Sequence, residues 1–228
     1  MIDNKILTSN IDKAISIIYV DDKPDEYLEE YLEKTNNFGD DKDINYDSVI
    51  FDSSNDSYLS LIENDKVKKA NILIIDSKLF ENENVEEHNK FTGEEFKVIF
   101  STVNPYAVVV VISQNDNLEK YGTVEKYKSS KNSYDSKTAE VAAKEHYDKQ
   151  LKCLIQDNIK EIYFKRQILS LLKNDDSKAF KGSTVIEKID GLMNGITDYN
   201  ELTDKKIDEL INLIENEIKP NLNMRKED

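Results

Sequence analysis

The apolar residues of this chain fall into short runs that predict a parallel α/β fold. Four runs have the length and composition of buried strands, and they cover residues 15–20, 72–75, 107–112 and 162–164. A short candidate strand lies near residues 48–51. Because helical patterns separate these strands, we expect one parallel sheet with helices on both of its faces.

Apolar spacing also predicts the helices between the strands. Residues 25–33 predict a first helix that begins beside Pro24, where proline is tolerated, and residues 57–62 begin the next. Residues 138–156 carry apolar side chains at helical spacing and predict a fourth helix, placed before the last strand. Residues 168–172 predict a short fifth helix.

The pattern changes after residue 174. A polar break is followed by apolar stripes over residues 185–193 and 207–214, and Pro220 stops the second. Helices of this length cannot bury their apolar faces alone. We therefore divide the chain into a domain over residues 1–174 and a helical extension over residues 175–228, which packs on that domain, on a partner, or on a second copy in a homodimer.

A polar side chain follows each of these four apolar runs. Asp21 and Asp22 follow the first run, Asp76 the second, Ser113 the third and Lys165 the fourth. In an open parallel sheet these positions meet at one edge, where ligands bind. Carboxylate oxygens suit Mg2+, which takes one or two carboxylates together with phosphate oxygens and waters. The pattern therefore predicts a cation and phosphate site.

This ordered set resembles the receiver domain of two-component response regulators, over about residues 13–174. Residues 20–26 are similar to the acidic pair and first helix of that family, residues 91–96 to the start of its third helix, and residues 158–165 to its last turn, strand and lysine. The resemblance implies a flavodoxin-like fold, which is a doubly wound, five-stranded parallel sheet in the order 2-1-3-4-5.

The chain also departs from the family pattern. Asn158 and Arg166 stand where the family usually has glycine and proline, and asparagine is the next best residue for a left-handed turn. Residues 77–92 and 114–136 are long segments where the family has short loops. Both follow strands, so we expect them around the pocket, either as gates that select the partner or as surface insertions without a role.

The resemblance also implies the chemistry of the site. Asp76 is the expected phosphoryl acceptor, and it shares Mg2+ with Asp21 and Asp22. Ser113 and Lys165 would bind phosphoryl oxygens, and their engagement would reorganise the adjoining loop and the fourth helix. A rival for the site lysine lies in residues 123–128, which contain Lys126 and Lys128. We favour Lys165 because a strand at 123–128 leaves almost no length for a helix before it.

The partners implied are a histidine kinase or a histidine phosphotransfer protein as donor, and a downstream protein as target, unless the protein is a phosphate sink. We expect no enzyme activity beyond self-phosphorylation and self-dephosphorylation. One alternative is a pseudo-receiver, an interaction module that is never phosphorylated. Another is a phosphohydrolase of the haloacid-dehalogenase type, which expects a second Asp where Lys78 stands.

The composition limits the partners and the cellular compartment that we expect for this protein. The formal net charge of -15 disfavours nucleic acid as a direct partner, because binding to phosphates needs clustered Lys and Arg. Cys153 is the only cysteine, so no intramolecular disulfide can form. No apolar stretch approaches the roughly 20 residues that span a bilayer. These features lead us to expect a cytoplasmic protein without a membrane partner.

Overall fold

A computed structural model describes residues 14–39, 44–79, 92–114, 123–128, 136–174 and 184–193. The described residues form one sheet of five parallel strands in the order β2-β1-β3-β4-β5. The strands are β1 (Ile15–Asp21), β2 (Ile44–Ile50), β3 (Ile72–Asp76), β4 (Val108–Ser113) and β5 (Thr123–Glu125). The predicted α/β class, parallel pairing and strand order are confirmed.

Helices cover both faces of this sheet. They are α1 (Glu26–Glu33), α2 (Tyr58–Glu63), α3 (Asp65–Lys68), α4 (Gly93–Val103), α5 (Ser136–Gln150), α6 (Lys152–Asn174) and α7 (Thr184–Met193), with a short 3-10 turn at Thr35–Asn37. Apolar residues of α1, α5 and α6 share one buried cluster with the sheet, and those of α2, α3 and α4 share the other. None of the helices described is long and apolar enough to cross a membrane.

The central strands are apolar at nearly every position because both of their faces are covered. Ile17 and Tyr19 of β1 point into the first cluster, whereas Ile18 and Val20 point into the second. All five residues of β3 are buried. Such strands read as continuous apolar runs, which is why the sequence pattern predicts them well.

The prediction that the last strand covers residues 162–164 is wrong. These residues lie inside α6, where Ile155, Ile159 and Ile162 recur at helical spacing and pack on the sheet. The strand is β5, at the rival position. Accordingly, the predicted fourth helix corresponds to α5 and the start of α6, which follow the last strand, and the predicted fifth helix is part of α6. Asn158 is helical and does not form the predicted turn.

Only nine residues, 114–122, connect β4 to β5. Parallel strands usually need a dozen or more residues between them, most often with a helix. β5 begins opposite Val111, two residues before the end of β4, so the connection has to return along β4 by only two residues.

The carboxyl-terminal half of α6 continues to the amino-terminal ends of the strands. Arg166 Nη2 donates to Asn71 Oδ1 at 3.1 Å, and Asn71 Nδ2 donates to the Met193 carbonyl at 3.2 Å. Leu169, Ile186 and Met193 form a small apolar cluster between α6 and α7. Helix α7, which lies in the predicted extension, thus packs on α6, whereas the second predicted stripe, at 207–214, lies outside the described residues.

Candidate functional site

Four polar side chains meet where the parallel strands end. Asp21, Asp76 and Ser113 are the last residues of β1, β3 and β4, and Lys126 directly follows β5. Together with Asp22 they line a cavity of about 460 Å³. Of the five site residues predicted from the sequence, four therefore come together, and the lysine beside them is a different one.

Lys126 bridges two buried carboxylates. Its Nζ lies 2.6 Å from Asp21 Oδ2 and 2.7 Å from Asp76 Oδ1, and its side chain is only 6% exposed. Burial alone would lower the pKa of this ammonium group, but Asp76 and Asp21 outweigh burial, so the pKa is raised. The backbone N–H of Lys126 donates to the Ser113 carbonyl at 2.7 Å, which fixes the residue beside the end of β4.

Asp76 is held from both sides of its carboxylate. Oδ1 contacts Lys126, and Oδ2 accepts a hydrogen bond from the Lys78 backbone N–H at 2.8 Å. Burial raises the pKa of Asp76, and repulsion from Asp21 adds to that effect, while Lys126 opposes it. The ionised form of Asp76 is therefore less stable here than in water, and a bound cation would stabilise it.

Helix α4 begins in contact with the backbone of Asp76. Thr92 and Glu95 form a capping box, in which the Glu95 N–H donates to Thr92 Oγ1 at 3.1 Å and the Thr92 N–H donates to Glu95 Oε2 at 2.7 Å. A Cβ added to Gly93 would lie 2.3 Å from the Asp76 carbonyl oxygen. Glycine at position 93 is thus a steric requirement for this close approach.

The carboxylate of Asp21 accepts hydrogen bonds from three donors. Oδ1 accepts from the Lys23 backbone N–H at 2.9 Å, and Oδ2 accepts from the Tyr19 hydroxyl as well as from Lys126. Tyr19 is fully buried. Burial, and after it the charge of Asp21, raises the pKa of Tyr19, so its hydroxyl keeps its proton and acts as a donor.

The three carboxylates could hold a divalent cation. Asp21, Asp22 and Asp76 each offer an oxygen, and these oxygens lie within 4.8 Å of one another. Their three negative charges and the one positive charge of Lys126 leave two negative charges to balance. An all-oxygen set beside an open cavity fits Mg2+, which keeps waters and phosphate oxygens among its ligands.

Lys165 is not part of this cluster. It lies on α6, and its Nζ contacts Glu161 at 2.7 Å in a pair whose side chains are 34% and 56% exposed. Lys128 contacts Glu125 at 3.4 Å, with both side chains about half exposed. The prediction that Lys165 lies beside the carboxylates is therefore wrong, and Lys126 occupies that position.

The beginnings of the two long segments lie at the cavity. Lys78 and Thr92 form an antiparallel bridge that holds the ends of residues 77–92 together, and Lys78 lines the cavity. Gln114 also lines it. Residues 114–136 are not one loop, because they contain β5 and Lys126. Residues 80–91, 115–122 and 129–135 of these segments lie outside the described ranges.

Comparisons with known proteins identify no relative of this chain from which the role of the site could be inferred. Scans against protein-family models, curated proteins and solved structures find no match to this chain. What the site can do chemically therefore follows from its carboxylates, hydroxyl and ammonium group. Together they can bind a divalent cation, present a carboxylate nucleophile and stabilise a phosphoryl group.

Proposed function

We propose that this protein is a phosphoacceptor receiver of a two-component phosphorelay, with a flavodoxin-like fold and Asp76 as the acceptor. The observation that carries the proposal is the bridge from Lys126 to Asp21 and Asp76 at the ends of three parallel strands. Ser113, at the end of β4, supplies a hydroxyl beside the same cavity. The strand order 2-1-3-4-5 supports the proposal.

The reaction assigned to Asp76 is an in-line displacement. One carboxylate oxygen attacks the phosphorus of the donor, a new P–O bond forms, and the bond from phosphorus to the donor breaks, so that the donor leaves with its electron pair. Asp21, Asp22 and Asp76 would hold Mg2+. The bound ion would neutralise the charge that accumulates as the phosphoryl group approaches.

Lys126 and Ser113 stabilise the product. The Lys126 ammonium turns from the Asp76 carboxylate to a phosphoryl oxygen, and the Ser113 hydroxyl donates to another. Lys126 is coupled to α5, because the Tyr127 N–H donates to the Tyr147 hydroxyl at 3.1 Å and His146 Nε2 lies 2.7 Å from the Glu125 carbonyl. The phosphorylated state would therefore be read by a protein partner at the β5 and α5 surface.

The pseudo-receiver is the second candidate, and the same ion pairs favour it. Lys126 pairs with both Asp21 and Asp76, as a purely structural salt bridge would. The phosphohydrolase alternative has less support, because the residue two positions after Asp76 contributes its backbone N–H and not a carboxylate.

Intact-mass measurement after incubation with acetyl phosphate and Mg2+ distinguishes the two candidates. The wild-type chain should gain one phosphoryl group, and a chelator should prevent the gain. Asp76→Asn should gain none, while Lys165→Met should behave as wild type. Wild-type chain without a phosphoryl adduct under these conditions would favour the pseudo-receiver.

A further inference from the structure

Tyr19 places a hydroxyl inside the apolar cluster between the sheet and helices α1, α5 and α6. Its ring packs among apolar residues such as Ile17 and Tyr147, where a phenylalanine would fill the same space. The hydroxyl donates to Asp21 Oδ2 and accepts from the Asp25 backbone N–H at 3.3 Å. A buried tyrosine hydroxyl needs such partners, and here its one proton is directed at a site carboxylate.

The same oxygen of Asp21 serves two donors, and one of them has to move. Lys126 Nζ contacts Asp21 Oδ2 at 2.6 Å in the state described. When Lys126 turns to a phosphoryl oxygen on Asp76, its contact with Asp21 weakens. Asp21 is only 1% exposed, and Tyr19 is the other protein donor to this oxygen among the described residues. A buried carboxylate oxygen that loses a charged donor is costly unless another donor remains.

We propose that Tyr19 is a positioning residue for phosphoryl binding, whose hydroxyl holds Asp21 when Lys126 leaves it. The inference rests on the proposed function, and it adds a residue that neither binds the cation nor touches the phosphoryl group. The role proposed for Tyr19 predicts the direction in which the affinity for a phosphoryl group changes. Removing the hydroxyl ties Lys126 more firmly to Asp21, so the site should respond less readily to a phosphoryl group.

Tyr19→Phe removes the hydroxyl and keeps the ring. Tyr31→Phe is the matched control, because Tyr31 is buried in the same cluster and its hydroxyl donates to a carboxylate oxygen, Asp148 Oδ1, at 3.1 Å. Asp148 does not line the site cavity. The probe is beryllofluoride, a phosphoryl mimic, titrated at saturating Mg2+, and Mg2+ is titrated alone in parallel. Urea unfolding verifies that both variants are folded.

Tyr19→Phe should weaken beryllofluoride binding by up to about tenfold, which is less than the whole strength of a hydrogen bond to a charged group, because the hydroxyl donates to Asp21 before Lys126 leaves as well. Its affinity for Mg2+ alone should change by much less, and Tyr31→Phe should match wild type in both titrations. Equal losses for beryllofluoride and Mg2+ would overturn the proposal, because they would indicate a merely structural role. So would beryllofluoride binding equal to that of Tyr31→Phe. If wild type binds beryllofluoride and the variants show none of these differences, the proposed function stands and only the role of Tyr19 is overturned. If wild type binds no beryllofluoride, the proposed function is overturned as well.

Discussion

Lys126→Met removes the ammonium group that bridges Asp21 and Asp76. The two contacts, at 2.6 and 2.7 Å, are almost fully buried, and breaking a buried ion pair by removing one partner costs about 3–5 kcal/mol. Protonation of one of the two remaining acids limits the loss, so we expect about 3 kcal/mol at neutral pH. Lys165→Met is the control, because its exposed pair with Glu161 should contribute only about 0.3–0.5 kcal/mol.

The assay is urea unfolding of both variants, first with a chelator and then with Mg2+. A cation between the carboxylates supplies the positive charge that Lys126→Met has lost, so Mg2+ should stabilise this variant more than wild type. A ligand present at 100 times its Kd stabilises the folded state by about 2.7 kcal/mol, which is enough to recover most of the loss. The reasoning is refuted if Lys126→Met is as stable as Lys165→Met in chelator, or if Mg2+ leaves it unchanged.

Three further predictions concern the acids and the glycine beside them. Asp76→Asn should raise the melting temperature in chelator, because burial raises the pKa of Asp76 and makes its ionised form costly. The folded state then binds more protons than the unfolded state, so wild-type stability should fall as the pH rises above 3.8, the ordinary pKa of an aspartate. This fall should be smaller in Asp76→Asn, and parallel pH profiles of the two proteins would contradict this assignment. Gly93→Ala should lower the free energy of unfolding in urea by about 1–3 kcal/mol, because its Cβ would lie 2.3 Å from the Asp76 carbonyl oxygen. A stability within error of wild type would show that α4 can shift freely. Replacing Asp21 and Asp22 together by Asn should weaken Mg2+ binding at least tenfold by calorimetry, because the paired charge overcomes the reluctance of Mg2+ to dehydrate, and an unchanged titration would argue against the ion site.

The parts of the fold that could be predicted from the sequence are those with strong apolar patterns. The strands β1, β3 and β4 are covered on both faces, so their runs are long and their last residues, Asp21, Asp76 and Ser113, are easy to identify. Since parallel strands end at one edge, the meeting of these three side chains followed directly.

The last strand could not be predicted in the same way. β5 has three residues, and Glu125 among them is exposed, so it carries almost no periodic signal. Residues 162–164 looked like a strand only when taken without Ile155 and Ile159, whose spacing marks a helix. The expectation of a helix before β5 favours Lys165, because the nine residues between β4 and β5 leave almost no length for a helix. Tyr19 gave no signal either, since an aromatic residue in a buried strand is ordinary core.

The central claim is that Asp76 becomes an aspartyl phosphate. Borohydride reduces such an acyl phosphate to homoserine, which marks the modified residue in a peptide map. After treatment with acetyl phosphate and Mg2+, we predict homoserine at position 76 in the wild type and in Lys165→Met, and none in chelator. Homoserine at another aspartate, or at none while the wild-type chain carries a phosphoryl group, would contradict the account.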